Sequence, residues 1–259
     1  MFQQIGDGVF RRRFESLDLN VGVVIGDDGV LIVDTRATHQ EALELKEELA
    51  TLTWLPVRWV INTHWHWDHT FGNAMFPEAE IWGHELCEPN MIRFGDQMRV
   101  AAKGWLPEEQ HADVDEVVIT PPTKSFAEMA SLEIGRLVQM TYHGLGHTDA
   151  DIVIRTGDVA FFGDLIEEGA PPSFGDSHPL SWPLTLQLAT ETLPGTVVPG
   201  HGDLVGREFV ATQTEELSVV ADLASQLLAG ELTLDEAVAA GPYDEATMRS
   251  ALLRAQVVA

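Results

Sequence analysis

The stretch NTHWHWDHT at residues 62–70 places three histidines, one aspartate and two tryptophans within nine positions. Two interpretations fit it: a metal-binding loop, and an aromatic core strand that happens to carry histidines. Three imidazoles and a carboxylate at one strand end repel each other or stay poorly solvated unless a cation collects them. We therefore favour a metal-binding loop, whose candidate ligands are His64, His66, Asp68 and His69.

The spacing of these residues bears on the number of metal ions. In an extended chain His64, His66 and Asp68 lie on one side. His69 lies on the other side with both tryptophans, so one ion would struggle to gather all four ligands. If the chain turns after Asp68, two histidines can serve one ion while Asp68 and His69 serve a neighbour. The stretch therefore predicts a two-metal site, with Trp65 and Trp67 facing away from the first metal to brace the loop or line the pocket mouth.

The surrounding patterns place this loop at the end of a strand. The segment VRWVINT has strand character and runs directly into the histidines, and ligands in layered α/β folds gather at such strand ends. Upstream, VGVVIGDDGVLIVDT at 21–35 predicts a hairpin that turns at Asp28-Gly29. The spacing of apolar residues at 38–52 predicts a helix.

Three residues further along the chain can complete the ligand sets, because zinc prefers four or five nitrogen, oxygen or sulfur contacts. They are His147 in GLGHTDAD, Asp164 in FFGD and His201 in PGHGD. Taken alone, the local sequence around each of these residues is also typical of an ordinary turn or strand end. Their order behind the four-ligand cluster and their positions beside strands make them candidate ligands.

The rest of the chain indicates further elements. The segment at 151–164 repeats the plan of the first hairpin and also closes on an aspartate, which suggests two similar half-units stacked face to face. Mixed helix and loop is expected at 85–104. Helices are expected at 183–193, 207–229 and 244–256, and a short strand with a Gly-rich loop at 195–203. We expect a single domain, 1–259, on which a helical extension packs from about residue 207.

The composition of the chain indicates which classes of binding partner and which cellular compartment to expect. The net charge of −26, from 15 Lys+Arg against 41 Asp+Glu, leaves no basic stripe for a phosphate backbone, so no nucleic acid is expected. Cys87 is the only cysteine, so an intramolecular disulfide is excluded. The amino terminus lacks the apolar run of a signal peptide, and no segment approaches ~18 uncharged apolar residues, so neither a membrane span nor membrane association is expected. The pattern favours a cytoplasmic protein with a small-molecule substrate and leaves the oligomeric state open.

The seven candidate ligands resemble the motifs of the metallo-β-lactamase superfamily. The family's HxHxDH motif matches His64, His66, Asp68 and His69, and its later ligands match His147, Asp164 and His201. The resemblance covers roughly residues 5–210. It implies an α/β (α+β) fold, a four-layer αβ/βα sandwich in which two mixed sheets are flanked by helices and a metal site lies at one edge.

The resemblance also implies a division of the ligands. His64, His66 and His147 would hold one metal, and Asp68, His69 and His201 the other, with Asp164 bridging both. The cofactors would be two zinc ions, or iron or manganese in their place.

Three details place the chain within the superfamily. The diiron flavoprotein branch carries Glu where this chain has His66, which argues against redox chemistry. True β-lactamases lack the bridging aspartate, so Asp164 favours the glyoxalase II-like and lactonase-like side. Glyoxalase II uses a basic patch to bind glutathione, and no such patch is present after Arg207 in this sequence. This argues against glutathione thioesters as substrates.

Together with these residues, the resemblance implies a metal-dependent hydrolase. We expect a dinuclear zinc enzyme whose metal-bridging hydroxide, oriented by Asp68 as the catalytic residue, cleaves a small ester, lactone, thioester or amide. An alternative keeps the ligands but uses one iron ion to oxidise a persulfide, as a sulfur dioxygenase. A metal-holding scaffold without activity is a third reading. The Pro- and Gly-rich segment 169–183 is either a pocket wall or a rigid surface loop.

Overall fold

Two β-sheets face each other across a shared apolar core in the computed structural model, which describes residues 1–193 and 195–259. The first sheet follows chain order, antiparallel from β1 to β4 and parallel from β4 to β7. Its strands are β1 (Gln3–Gly6), β2 (Val9–Arg13), β3 (Asn20–Ile25), β4 (Val30–Val33), β5 (Val57–Ile61), β6 (Glu80–His84) and β7 (Lys124–Phe126).

The second sheet has the order β12-β11-β10-β9-β8 among the described residues. Only the β11–β12 pair is parallel, so this sheet is also mixed. Its strands are β8 (Met129–Glu133), β9 (Leu137–Tyr142), β10 (Ile152–Thr156), β11 (Val159–Gly163) and β12 (Thr196–Pro199).

The two predicted hairpins are β3–β4 and β10–β11, and both form as antiparallel pairs. Their inner faces are in direct contact. Gly22 of β3 lies so close to the ring of Phe161 on β11 that a Cβ at this position would collide with it. Only glycine permits this close approach. The half-units expected from the repeated pattern therefore stack face to face, and each sends an aspartate, Asp34 or Asp164, beyond its second strand.

Eight helices flank the two sheets among the described residues. They are α1 (His39–Leu52), α2 (Trp67–Thr70), α3 (Cys87–Trp105), α4 (His111–Glu116), α5 (Trp182–Thr190), α6 (Arg207–Leu228), α7 (Leu234–Ala239) and α8 (Glu245–Val258). Apolar residues of α1 pack on the first sheet, and those of α5, α6 and α8 pack on the second. The order helix, sheet, sheet, helix confirms the predicted four-layer sandwich.

Helix α1 shows why its position could be predicted from the spacing of apolar residues at 38–52. The Thr38 side chain accepts a hydrogen bond from the Glu41 backbone nitrogen at 3.1 Å and so caps the first turn. Leu45 and Leu49, one turn apart, are buried against the sheet.

Helix α3 differs from the expected mixture of helix and loop, because it is one continuous helix of 19 residues. Pro89 lies in its first turn, where no intrahelical hydrogen bond is lost. Met91, Met98 and Ala102 are buried on one face, in a cluster with Trp65 and other apolar residues. This tertiary burial outweighs the low helix propensity of Gly95 and Gly104.

The C-terminal helices pack rather than fray. Met248, Leu252 and Ala255 of α8 are buried in the same cluster as Leu217 of α6 and Val197 of β12. The described part of the chain has no helix both long enough and apolar enough to cross a membrane.

Candidate metal centre

The seven predicted ligands converge at one edge of the sandwich. Four of them follow β5, Asp164 follows β11, His201 follows β12, and His147 precedes β10. Because β11 and β12 are parallel and β10 is antiparallel to β11, the latter three side chains come from the same sheet edge.

The side chains form two groups, within each of which the ligand atoms lie within 4.8 Å of one another. The first group contains His64, His66, His147 and Asp164, and the second contains Asp68, His69, Asp164 and His201. This division is the one that the resemblance implied.

Asp164 is the member common to both groups. Its Oδ2 lies 3.7 Å from His64 Nε2 and 3.4 Å from His147 Nε2 in the first group. In the second group, Oδ1 lies 3.2 Å from His69 Nε2 and Oδ2 lies 3.5 Å from His201 Nε2. One buried carboxylate thus faces imidazoles of both groups.

The turn in the HWHWDH stretch begins earlier than expected. His66 is still extended, but helix α2 starts at Trp67, so the chain turns before Asp68 rather than after it. The helical turn brings Asp68 and His69 to the same side, with Oδ2 and Nε2 3.5 Å apart. Trp65 stacks on Phe94 of α3 at a centroid distance of 5.6 Å. Both tryptophans belong to the apolar cluster behind the loop and also line the cavity, as predicted.

Four of the five histidines have one ring nitrogen occupied by a neighbour outside the two groups. That ring nitrogen lies 2.7–3.0 Å from a side-chain or carbonyl oxygen, so the other nitrogen of the same ring faces the site. The pairs are His64 Nδ1 with Thr63 Oγ1, His66 Nε2 with Asp176 Oδ2, His69 Nδ1 with Asp34 Oδ2, and His201 Nδ1 with the Leu17 carbonyl.

Asp34 and Asp176 are the residues that sequence reasoning missed. Asp34 was noted only as the end of a repeated hairpin, and Asp176 only as part of a Pro- and Gly-rich segment. Asp34 is buried and also accepts hydrogen bonds from the backbone and hydroxyl of Thr63, both at 2.8 Å. The position of Asp34 directly after an apolar strand, like that of Asp164, was the available signal.

The chemistry of the groups fits a divalent cation. Within the described part of the chain, His64 Nε2, His69 Nε2 and Asp164 Oδ1 are buried without a hydrogen-bond partner. Each such group costs about 1–3 kcal/mol unless it is satisfied. A cation ligated by these nitrogens and by the carboxylate would satisfy all three, and imidazole and carboxylate ligands suit zinc and related ions.

The electrostatics of the site also favour bound positive charge. Burial lowers the pKa of His64 well below its usual value and that of His147 to about 4. Burial also lowers the pKa of His69 and His201, but Asp164 and the other carboxylates raise it more, so both end well above the usual value. The buried carboxylates therefore attract positive charge of the kind that a metal ion supplies.

A cavity of about 880 Å³ opens onto both groups. Part of the 169–183 segment lines it, which favours the pocket-wall interpretation of that segment. The cavity is large enough for a drug-sized molecule next to the ligand atoms.

Comparisons with known proteins agree with this fold. The model of the metallo-beta-lactamase superfamily matches residues 17–201. A metallo-beta-lactamase from Pontibacter korlensis aligns with a TM-score of 0.67 and 19% identity over 84% of this chain and 98% of its own. One from Hirschia baltica aligns with a TM-score of 0.66 and 19% identity over 84% and 97%. A double mutant of the sec-alkyl sulfatase PisA1 aligns with a TM-score of 0.77 and 15% identity, over 98% of this chain and 49% of its own.

The comparison with curated proteins gave no match. The family model spans well over half of the chain and ends at His201, the last of the seven candidate ligands. The match establishes that this chain belongs to the metallo-beta-lactamase superfamily.

Proposed function

We propose that this chain is a dinuclear zinc-dependent hydrolase of a small ester, lactone, thioester or amide. The observation that carries the proposal is the position of Asp164, whose carboxylate lies 3.2–3.7 Å from imidazole nitrogens of both groups. A carboxylate shared by two ligand sets is suited to bridge two metal ions. It also favours the glyoxalase II-like and lactonase-like side of the superfamily, as argued from the sequence.

Zinc ions held by the two groups would lower the pKa of a bound water from that of bulk water towards ~7 and would act as Lewis acids that polarise a carbonyl. The chain's own residues provide orientation. Asp68 Oδ2 faces the site 3.3 Å from His201 Nε2 and 3.5 Å from His69 Nε2. It is therefore placed to accept a hydrogen bond from a hydroxide held there and would orient that hydroxide towards the carbonyl carbon.

The second candidate, a mononuclear iron sulfur dioxygenase acting on a persulfide, uses the same residue types. The second complete group of four ligand candidates favours two ions over one.

Activity assays on protein stripped of metal and reloaded with zinc or iron test the proposal. We expect zinc-loaded protein to hydrolyse members of a panel of lactones, aryl esters, thioesters and amides. His64→Ala and Asp164→Ala should lose metal and activity together. His111→Ala is the control, because the one side-chain hydrogen bond of His111 among the described residues is with the Leu106 carbonyl, and His111 does not line the cavity. Oxygen consumption with a persulfide by iron-loaded protein, without hydrolysis by the zinc form, would establish the second candidate instead.

A further inference from the structure

Helix α3 presents an apolar stripe to the cavity beside the metal centre. Phe94, Met98, Ala101 and Trp105 all line the cavity, and their spacing of four, three and four residues places them on one helix face. We call these four residues the α3 stripe. None of them is among the candidate metal ligands, so the metal centre alone does not account for this wall.

Trp105 is the most unusual member of the stripe. Trp105 is 76% exposed, and it lies outside the apolar cluster that buries Met91, Met98 and Ala102 of this helix. An exposed indole at the mouth of a cavity, continuous with buried apolar residues, is a surface on which a ligand can bury apolar area.

Charged side chains also line the cavity. Asp18, Glu167 and Glu168 are among them, as are Arg93 and Arg254. Arg254 donates to backbone carbonyls, and Arg93 lies over the Phe94 ring at 4.9 Å. The four side chains of the stripe are themselves apolar, so the part of a ligand that lies along them gains most from being apolar.

We propose that the substrate is an ester or lactone with an uncharged apolar tail that lies along the α3 stripe towards Trp105. The proposal rests on the hydrolase function and adds the substrate class. At 1.5 Å per residue the stripe is about 16 Å long, which suits a medium-length acyl or aryl tail rather than an acetyl group.

A chain-length series tests this assignment. Zinc-loaded protein is assayed with butanoate, hexanoate, octanoate and decanoate esters of one neutral leaving group. We expect kcat/KM to rise up to about fourfold per methylene, the change that full burial of one CH₂ gives. Phe94→Ala and Trp105→Ala should flatten this slope. Trp54→Ala is the matched control, because Trp54 is 89% exposed but does not line the cavity.

The outcomes separate this proposal from the hydrolase function. Hydrolysis with no dependence on tail length, or a slope unchanged in Trp105→Ala, overturns the substrate class and leaves the function standing. If no substrate is hydrolysed, calorimetry with 1-octanol and 1-butanol still tests the stripe. Tighter binding of 1-octanol that Trp105→Ala abolishes supports the proposal, and equal binding of both alcohols overturns it.

A separate observation concerns the support of the first ligand group. His66 Nε2 is bonded to Asp176 Oδ2 at 2.9 Å, which turns Nδ1 towards His147 Nε2. Arg254 of helix α8 holds the backbone around Asp176. Its Nη2 donates to the Asp176 carbonyl at 2.7 Å and its Nε to the Ser177 carbonyl at 2.8 Å.

We infer that Arg254 is a positioning residue for the metal centre, acting through Asp176 on His66. Helix α8 lies outside the region that the family model matches, so this support comes from the chain's C-terminal helices. An arginine fork that fixes two consecutive carbonyls restrains the loop, and the loop in turn restrains the carboxylate that orients the ligand.

A double-mutant cycle with a metal readout tests this inference. Competition with a chromogenic chelator should show that Asp176→Ala and Arg254→Ala each weaken retention of one zinc ion by roughly 10–100-fold. The double variant should lose no more zinc retention than Asp176→Ala alone, because Arg254 is proposed to act on His66 only through Asp176. Arg249→Ala is the control, since Arg249 lies on the same helix and bonds only to Asp235 and Glu245. Additive losses, or unchanged retention in Arg254→Ala, would contradict the inference.

Discussion

At the scale of single residues, Asp34 shows how the metal centre depends on side chains that do not face it. Its backbone is left-handed, with φ +66°, a conformation that aspartate adopts more readily than most residues. This places the buried carboxylate between Thr63 and His69, where it accepts three hydrogen bonds. Burial raises the pKa of Asp34, and His69 counteracts that rise.

Asp34→Ala should therefore reduce both stability and metal retention. Loss of the acceptor leaves two buried donors of Thr63 unpaired, which should lower the free energy of unfolding by about 2–4 kcal/mol. Zinc retention should fall on the order of tenfold or more, because His69 loses its orienting partner. Urea unfolding of the metal-free variant and chelator competition measure the two effects. Asp28→Ala in the exposed turn is the control, and an equal effect of both variants would refute this role.

Metal retention should also depend on pH. Burial lowers the pKa of His66, but Asp176 raises it more through charge and hydrogen bonding, to about 9. In the metal-free protein His66 therefore holds a proton at neutral pH, and a metal ion must displace it. We expect zinc affinity to rise as pH increases from about 6 to about 9. Chelator competition across that range checks it, and a flat profile would show that no ligand proton is displaced.

The residue scale also shows what a sequence can and cannot reveal. His64, His66, Asp68 and His69 form a local motif, so the chemistry they share is visible in nine positions. Asp176 contacts His66 across 110 positions of the chain, and nothing in its own segment marks that contact. Partners of this kind become visible only when the fold brings them together.

At the scale of elements, tight turns at strand ends hold the ligands. Gly200 lies between β12 and His201, and a Cβ at this position would collide with Asp164 Oδ1. The residue before the last histidine must therefore be glycine for the shared carboxylate to keep its place.

Gly200→Ala should disturb the metal centre through this collision. We expect reduced metal content and activity while the helix content in circular dichroism stays unchanged, because the side chain that must move is Asp164. Gly206→Ala is the matched control, because a Cβ there has no atom within 4 Å among the described residues. A Gly200→Ala protein with wild-type zinc content would contradict this placement.

Elements were predictable where local pattern and tertiary burial agree. The β3–β4 hairpin and helix α1 have clear turn, capping and periodicity signals, and both lie where expected. Helix α3 was predicted only in part, as a mixture of helix and loop, because Pro89, Gly95 and Gly104 weaken its local signal. Its stability comes from packing under the HWHWDH loop.

At the scale of the whole molecule, the C-terminal helices are built into the same core as the second sheet. Leu217 and Leu252 are fully buried in one cluster with Trp182 and Phe162. These contacts could not be predicted from the sequence. The pattern of an amphipathic helix shows which of its faces is apolar, but not which element that face packs against.

We therefore expect the described helices and sheets to unfold as one cooperative unit. Urea unfolding of the metal-free protein followed by circular dichroism and by tryptophan fluorescence should give coincident transitions. A separate early transition in the helical signal would show that residues from about 207 onward form an independent unit.

The central claim is that two ligand sets sharing Asp164 hold two metal ions, and a metal count tests it most directly. Zinc-reconstituted protein, dialysed free of unbound metal and analysed by inductively coupled plasma mass spectrometry, should contain about two zinc ions per chain. Asp164→Ala under the same treatment should retain about one or fewer, because both sets lose a ligand. A wild-type protein that retains a single ion or none, or an Asp164→Ala protein that keeps both, would contradict the account.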